Sequence, residues 1–247
     1  MMNEFRTMHL FAGHGGGLLA DLILGHKPIV AVEWDKYACQ VLRERAADGW
    51  FPGLSVWEGD VRLFNPSEYA GQVDCIHAGF PCQDISVAGK QAGVSEGTRS
   101  GLYREVLRIA GVVRPKELYL ENVSAILSNG LGTVLGDLAA MGYDSRWLCI
   151  RASDVGAIHH RDRWFLLANN TKINPDKVVC KERRVQKQHS RITDPREIQA
   201  SEWQVYQPPM GGVDVHVPNR VHRIEGIGNS QVPLQAAVAY RLLGGCQ

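Results

Sequence analysis

Cys82 stands directly behind a proline in Gly79-Phe80-Pro81-Cys82-Gln83-Asp84-Ile85-Ser86, where an apolar run gives way to polar residues. The run before it, Asp74 to Phe80, reads as a buried strand ending at a loop. Open α/β sheets bind ligands beyond the carboxyl ends of their strands, so a thiol here can face a ligand crevice. Pro81 fixes its own φ and restricts the residue before it, which limits where that thiol points. For Cys82 by itself two readings stand open, a covalent nucleophile and a small buried hydrophobe.

A second constellation lies upstream. Gly13-His14-Gly15-Gly16 falls between a strand and a helix, where missing Cβ atoms let the backbone approach a ligand. Glu33 follows 20 residues after Gly13, at the end of the next strand, where an acid can hold ribose hydroxyls. The third glycine of a dinucleotide fingerprint would fall at Leu18, so the pyrophosphate turn is incomplete. S-adenosylmethionine carries ribose and adenine but no phosphate, and needs no such cradle. Trp34 offers a stacking face to adenine, and Asp60 an acceptor for its amino group. A helix cap, a solvated charge and a core tryptophan are the plain alternatives for each residue taken singly.

These residues need a scaffold that brings strand ends together. Strands are predicted over Thr7–Phe11, Ile29–Trp34, Ser55–Val61, Asp74–Phe80, Glu117–Val123, Arg146–Arg151 and Trp164–Ala168. Helices are predicted over Leu18–Leu24, Tyr37–Ala46, Leu102–Val113, Leu131–Met141 and Val232–Leu243. Alternation of this kind implies an α/β fold with a doubly wound, mostly parallel sheet. The pattern breaks after Asn169 and resumes at Val217–Val221.

The composition excludes several classes. With 45% hydrophobic and 21% charged residues over 247 positions, the chain is an ordinary globular protein. A net charge of +1 gives no global footprint for nucleic acid, so any basic surface is local. No apolar run has the length of a membrane span, and the start lacks a signal-peptide pattern. The six cysteines lack CxxC spacing, which argues against a zinc site and a disulfide framework. No metal is expected, and the expected compartment is the cytoplasm, in contact with the nucleoid.

Taken in order, the motifs resemble the DNA cytosine-5 methyltransferase family, in a short bacterial or phage form. Phe11-Ala12-Gly13-His14-Gly15-Gly16, Glu33-Trp34 and Asp60-Val61 are similar to its cofactor motifs. Gly79-Phe80-Pro81-Cys82-Gln83 matches its catalytic motif, Arg99-Ser100-Gly101-Leu102 the next, and Glu121-Asn122-Val123 its glutamate motif. His159-x-Arg161-x-Arg163 falls at its arginine element, and Gly226-Ile227-Gly228-Asn229-Ser230-Gln231-Val232-Pro233 at its last motif, whose helix packs beside the cofactor.

The resemblance implies a Rossmann-like methyltransferase that moves a methyl group from S-adenosylmethionine to C5 of a flipped cytosine in duplex DNA, leaving S-adenosylhomocysteine. Cys82 would attack C6, Glu121 would protonate N3, and Arg161 and Arg163 would hold O2. Phe11, Ala12, Gly13, Gly15, Gly16, Glu33, Trp34, Asp60, Val61, Asn229 and Ser230 are the implied cofactor contacts. Gln83, Ser86, Lys181, Arg183 and Arg184 are the implied DNA contacts. An RNA cytosine-5 methyltransferase and a non-catalytic DNA-binding relative are the alternatives.

Three departures from the pattern stand out. His9 occupies the place of an acid at the end of the first strand, and His159 that of a glutamine. Between the arginine element and the last motif lies only a short basic stretch. The implied division is therefore a catalytic unit, 1–169 plus 217–247, and a reduced recognition segment, 170–216. A monomer is expected, with a specificity partner or a cognate restriction nuclease as candidate associates.

Overall fold

The computed structural model describes residues 4–81, 101–173 and 230–246. Seven strands form one sheet: β1 (Arg6–Leu10), β2 (Lys27–Glu33), β3 (Ser55–Glu58), β4 (Cys75–Gly79), β5 (Glu117–Val123), β6 (Tyr143–Arg151) and β7 (Asp162–Asn170). Their spatial order is β3-β2-β1-β4-β5-β7-β6. β7 runs antiparallel to both β5 and β6, and the other pairings are parallel. The described helices are α1 (Gly16–Leu24), α2 (Lys36–Ala47), α3 (Gly101–Val113), a single turn α4 (Ile126–Asn129), α5 (Leu131–Ala140) and α6 (Pro233–Leu242).

Side chains alternate along each strand, and each face of the sheet has its own core. Met8 and Leu10 of β1, Val30 and Val32 of β2, Ile76 and Ala78 of β4, and Leu118 and Leu120 of β5 join α3 and α5 on one face. On the other face Cys75, Tyr119, Phe165 and Leu167 meet Leu234, Ala237 and Tyr240 of α6. Both faces of the central strands are buried, which is why they read as near-continuous apolar runs.

Several elements differ from expectation at their ends. β1 stops at Leu10 because Phe11 turns into a left-handed conformation (φ 58°). β3 stops at Glu58, and Asp60 caps the one-turn helix Val61–Leu63 by accepting from the Arg62 amide. β6 and β7 are nine residues each, longer than predicted, and form an antiparallel pair. The expected restart at Val217–Val221 lies outside the described residues. Among the described residues no helix is long and apolar enough to cross a membrane.

Strand order reverses between β1 and β4: β2 and β3 lie to one side, β5, β7 and β6 to the other. Ligand crevices of open sheets form at this switch point. α6 closes that end. Its Gln235 amide donates to the carbonyls of Ile150 (2.8 Å) and Arg161 (2.9 Å), and the Tyr119 hydroxyl donates to the Ala236 carbonyl (2.6 Å). Those bonds carry Ser230 and Gln231 back over the crevice.

Candidate active site

The pocket at the switch point is lined by His9 and Leu10 of β1, Phe11 through Gly13 after it, Gly17 of α1, His77 and Gly79 of β4, Glu121 of β5, and Ser230 and Gln231. The glycines make room for the last motif. A Cβ on Gly16 would stand 2.3 Å from the Gln231 carbonyl oxygen, and one on Gly79 would stand 3.0 Å from Gln231 Nε2 and 3.1 Å from Glu121 Oε2. Real Cβ atoms do not tolerate the first of these contacts, so the glycine turn and the last motif fit as one piece.

On the β1–β2 side of the pocket Glu33 organises the glycine turn. Its Oε2 accepts from the Gly13 amide (2.7 Å), and its Oε1 from the amides of Trp34 and Asp35 (2.9 Å each). Trp34 is 79% exposed beside it, with a free aromatic face. Phe11, Ala12, Gly13 and Ser230 line the pocket, while Gly15 (φ 92°) and Gly16 form the entry to α1. The Asp60 carboxylate is engaged by the guanidinium of Arg62, which holds its pKa low. Val61 is buried in the core, and its carbonyl accepts from Arg108 (3.1 Å).

On the chemical side β7's reversed direction matters. An antiparallel strand places its beginning, Arg163, at the edge where β5 ends, and Val123 pairs with Arg163 in the register. Arg163 Nε lies 3.0 Å from Glu121 Oε1. Gln231 Nε2 approaches Glu121 Oε2 at 3.5 Å. Burial raises the Glu121 pKa; Arg163 first, then Gln231 and Arg161, oppose it, and the net direction is upward. Arg161 donates to the Ser230 carbonyl (2.7 Å), linking the arginine element to the last motif.

Sequence reasoning missed two positioning residues. Asn122 donates to the Phe80 carbonyl (3.0 Å) and accepts from the Val123 amide (2.8 Å), which fixes the backbone immediately before Pro81. Gln231 touches both the glycine turn and Glu121. Both sit inside motifs already singled out, but their partners are non-local. Cys82, Gln83, Ser86, Lys181, Arg183, Arg184 and Asn229 lie outside the described residues.

A buried polar cluster underlies the pocket. His9 Nε2 lies 2.6 Å from Asp21 Oδ2, the same oxygen accepts from the Thr7 hydroxyl, and His26 Nδ1 lies 3.5 Å from Asp21 Oδ1. Burial alone would raise Asp21; the His9 ring and the hydrogen bonds from His26 and His9 hold it well below the usual carboxylate range. Burial, with His9 beside it, pushes His77 down to about 3, against Asp21 and Gln231.

A family model for C-5 cytosine-specific DNA methylase matches residues 5–214. The chain belongs to this family. Within the methylase family it is 36% identical over 179 residues to type II methyltransferase M.CviJI of Paramecium bursaria Chlorella virus IL3A, covering 71% of this chain and 46% of that protein. It is 34% identical over 169 residues to type II methyltransferase M.NgoMIV of Neisseria gonorrhoeae, covering 67% and 52%. The chain thus spans about half the length of these curated relatives. Among solved structures, an E. coli chain described as a prophage-encoded putative DNA modification methyltransferase superposes with a TM-score of 0.55 at 27% identity, over 69% of this chain and 48% of that one.

Proposed function

We propose that this chain methylates C5 of cytosine in duplex DNA, with S-adenosylmethionine as donor and Cys82 as covalent nucleophile. The observation that carries the reading is the Glu121–Arg163 pair at the end of β5, directly beside the strand that runs into Pro81 and Cys82. A carboxyl kept above its usual pKa range by burial, next to a guanidinium, suits a base that must receive a proton at N3 and hydrogen bonds at O2.

Cytosine C5 is too weak a nucleophile to take a methyl group unaided. Attack of the Cys82 thiolate on C6 forms an S–C6 bond and moves the ring π electrons toward C5 and N3, while neutral Glu121 gives its proton to N3. Arg163, with Arg161 beside it, holds O2 as charge accumulates there. Glu33, Trp34 and the glycine turn would hold S-adenosylmethionine, whose sulfonium would supply the methyl group to C5 and leave as S-adenosylhomocysteine. Loss of the C5 proton to a base and expulsion of Cys82 restore the aromatic ring, and N3 returns its proton to Glu121. The target base must leave the duplex stack for this geometry to form.

We read the 170–216 segment as a reduced recognition region. Lys181, Arg183 and Arg184 supply phosphate contacts that hold the duplex without reading it, and Gln83 and Ser86 contact the DNA near the nucleophile. The type II names of the relatives support a restriction-modification setting. The test is incubation with S-adenosylmethionine and DNA containing 5-fluorocytosine. A denaturation-resistant protein–DNA complex that Cys82→Ala abolishes is the expected result. Its absence with bound cofactor favours a non-catalytic relative, and trapping on fluorinated RNA alone favours an RNA enzyme.

A further inference from the structure

His9 and His77 are register partners on the neighbouring strands β1 and β4, and Asp21 of α1 packs over the same face. One donor atom from each lies within 4.8 Å of the other two, and all three residues are buried. The centre of a triangle with no side above 4.8 Å lies within about 2.8 Å of every corner, against ~2.0–2.1 Å for a zinc–imidazole bond. Side-chain shifts of under ~1 Å would close the difference.

A second observation points to a ligand at the same place. His77 is 3% exposed, and the Gln231 side chain approaches its ring, but among the described residues neither ring nitrogen meets a partner in well-aligned hydrogen-bond geometry. The buried amide oxygen of Gln231 likewise has no well-aligned donor. Both surround bare Gly17, where a Cβ would meet Gln231 Oε1 at 2.9 Å, His77 Cε1 at 2.9 Å and His9 Nδ1 at 3.1 Å. Buried polar atoms so poorly satisfied call for an ion, a water or a functional reason. Two imidazoles and a carboxylate are a donor set for divalent first-row transition metals. The Thr7 hydroxyl and His26, both on Asp21, are the outer contacts that orient a metal-bound carboxylate.

We propose that His9, Asp21 and His77 form a binding site for a divalent transition metal of the zinc class, with Gln231 Oε1 beside the fourth position. The cation takes the place of the direct contact between His9 and Asp21 and ties β1, α1 and β4 together beneath the glycine turn. The ligands come from three separate elements, so cysteine spacing could not reveal them. This departs from the metal-free expectation, and it stands whether or not the chain transfers methyl groups.

The test uses the full chain, stripped with EDTA and titrated with Co2+ and then Zn2+. One Co2+ per chain with visible ligand-field absorption is expected, Zn2+ displaces it, and the melting temperature rises with either metal. His77→Gln and His9→Gln each reduce the stoichiometry to none. Anomalous scattering from zinc-loaded crystals of the unmodified protein locates the ion without relying on variants. An ion between His9, Asp21 and His77 supports the proposal. No bound metal in the unmodified chain, an ion located elsewhere, or a His77→Gln variant that keeps one equivalent overturns it.

Discussion

Arg163 Nε stands 3.0 Å from Glu121 Oε1, joining the first turn of an antiparallel strand to the last residues of a parallel one. The pair is mostly buried, with side chains 20% and 12% exposed, so the guanidinium and the desolvation of the carboxyl act against each other. Desolvation prevails, and Glu121 holds its proton more tightly than a free carboxyl does.

The pH dependence follows from that sign. If neutral Glu121 is the proton donor, single-turnover methylation falls as pH rises through its raised pKa. Glu121→Gln removes that limb of the profile and slows methylation by at least ~100-fold. Stability carries the same sign: the folded state binds this proton more tightly, so the contribution is complete below the ordinary carboxylate range and is lost as pH climbs through the folded value. Single-turnover rates and urea melts across pH check both.

Gly16→Ala places a Cβ 2.3 Å from a backbone oxygen that has no side-chain freedom to yield. It is expected to cost about 1–3 kcal/mol in urea denaturation and to weaken cofactor binding. Gly136→Ala, on an exposed face of α5 with nothing within 4 Å, is the control and is expected to stabilise by about 0.5–1 kcal/mol.

Asn122→Ala leaves the Phe80 carbonyl and the Val123 amide without their buried partner. A loss of about 1–3 kcal/mol is expected. If Asn122 sets the backbone ahead of Cys82, the rate of covalent trapping falls while cofactor affinity stays near that of the unmodified chain. Equal loss of both would mark it as merely structural.

Trp34→Ala removes an exposed ring that supports nothing in the core. Cofactor affinity measured by calorimetry is expected to fall about tenfold, in line with the ~0.5–1.5 kcal/mol of an aromatic stacking contact. The melting temperature of the free protein should not move.

Much of this architecture was legible in the residues. Apolar runs ending in Glu33, Gly79 and Glu121 located strands whose carboxyl ends meet, because a doubly wound sheet gathers its strand ends along one edge. The direction of β7 was not legible, since a buried strand has the same composition whichever way it runs. Arg62 engages the carboxylate of Asp60 two positions before it, a contact that strand alternation does not encode. The His9–Asp21–His77 cluster depends on a register between strands 68 positions apart, which no local pattern carries.

Gln231 rests its backbone against Gly16 and extends its amide toward Glu121. A residue so placed makes the two halves of the crevice thermodynamically reciprocal: whatever a bound nucleoside does to the proton affinity of Glu121, the proton does in equal measure to the affinity for the nucleoside. Acidity would then tune how tightly a nucleoside is held there.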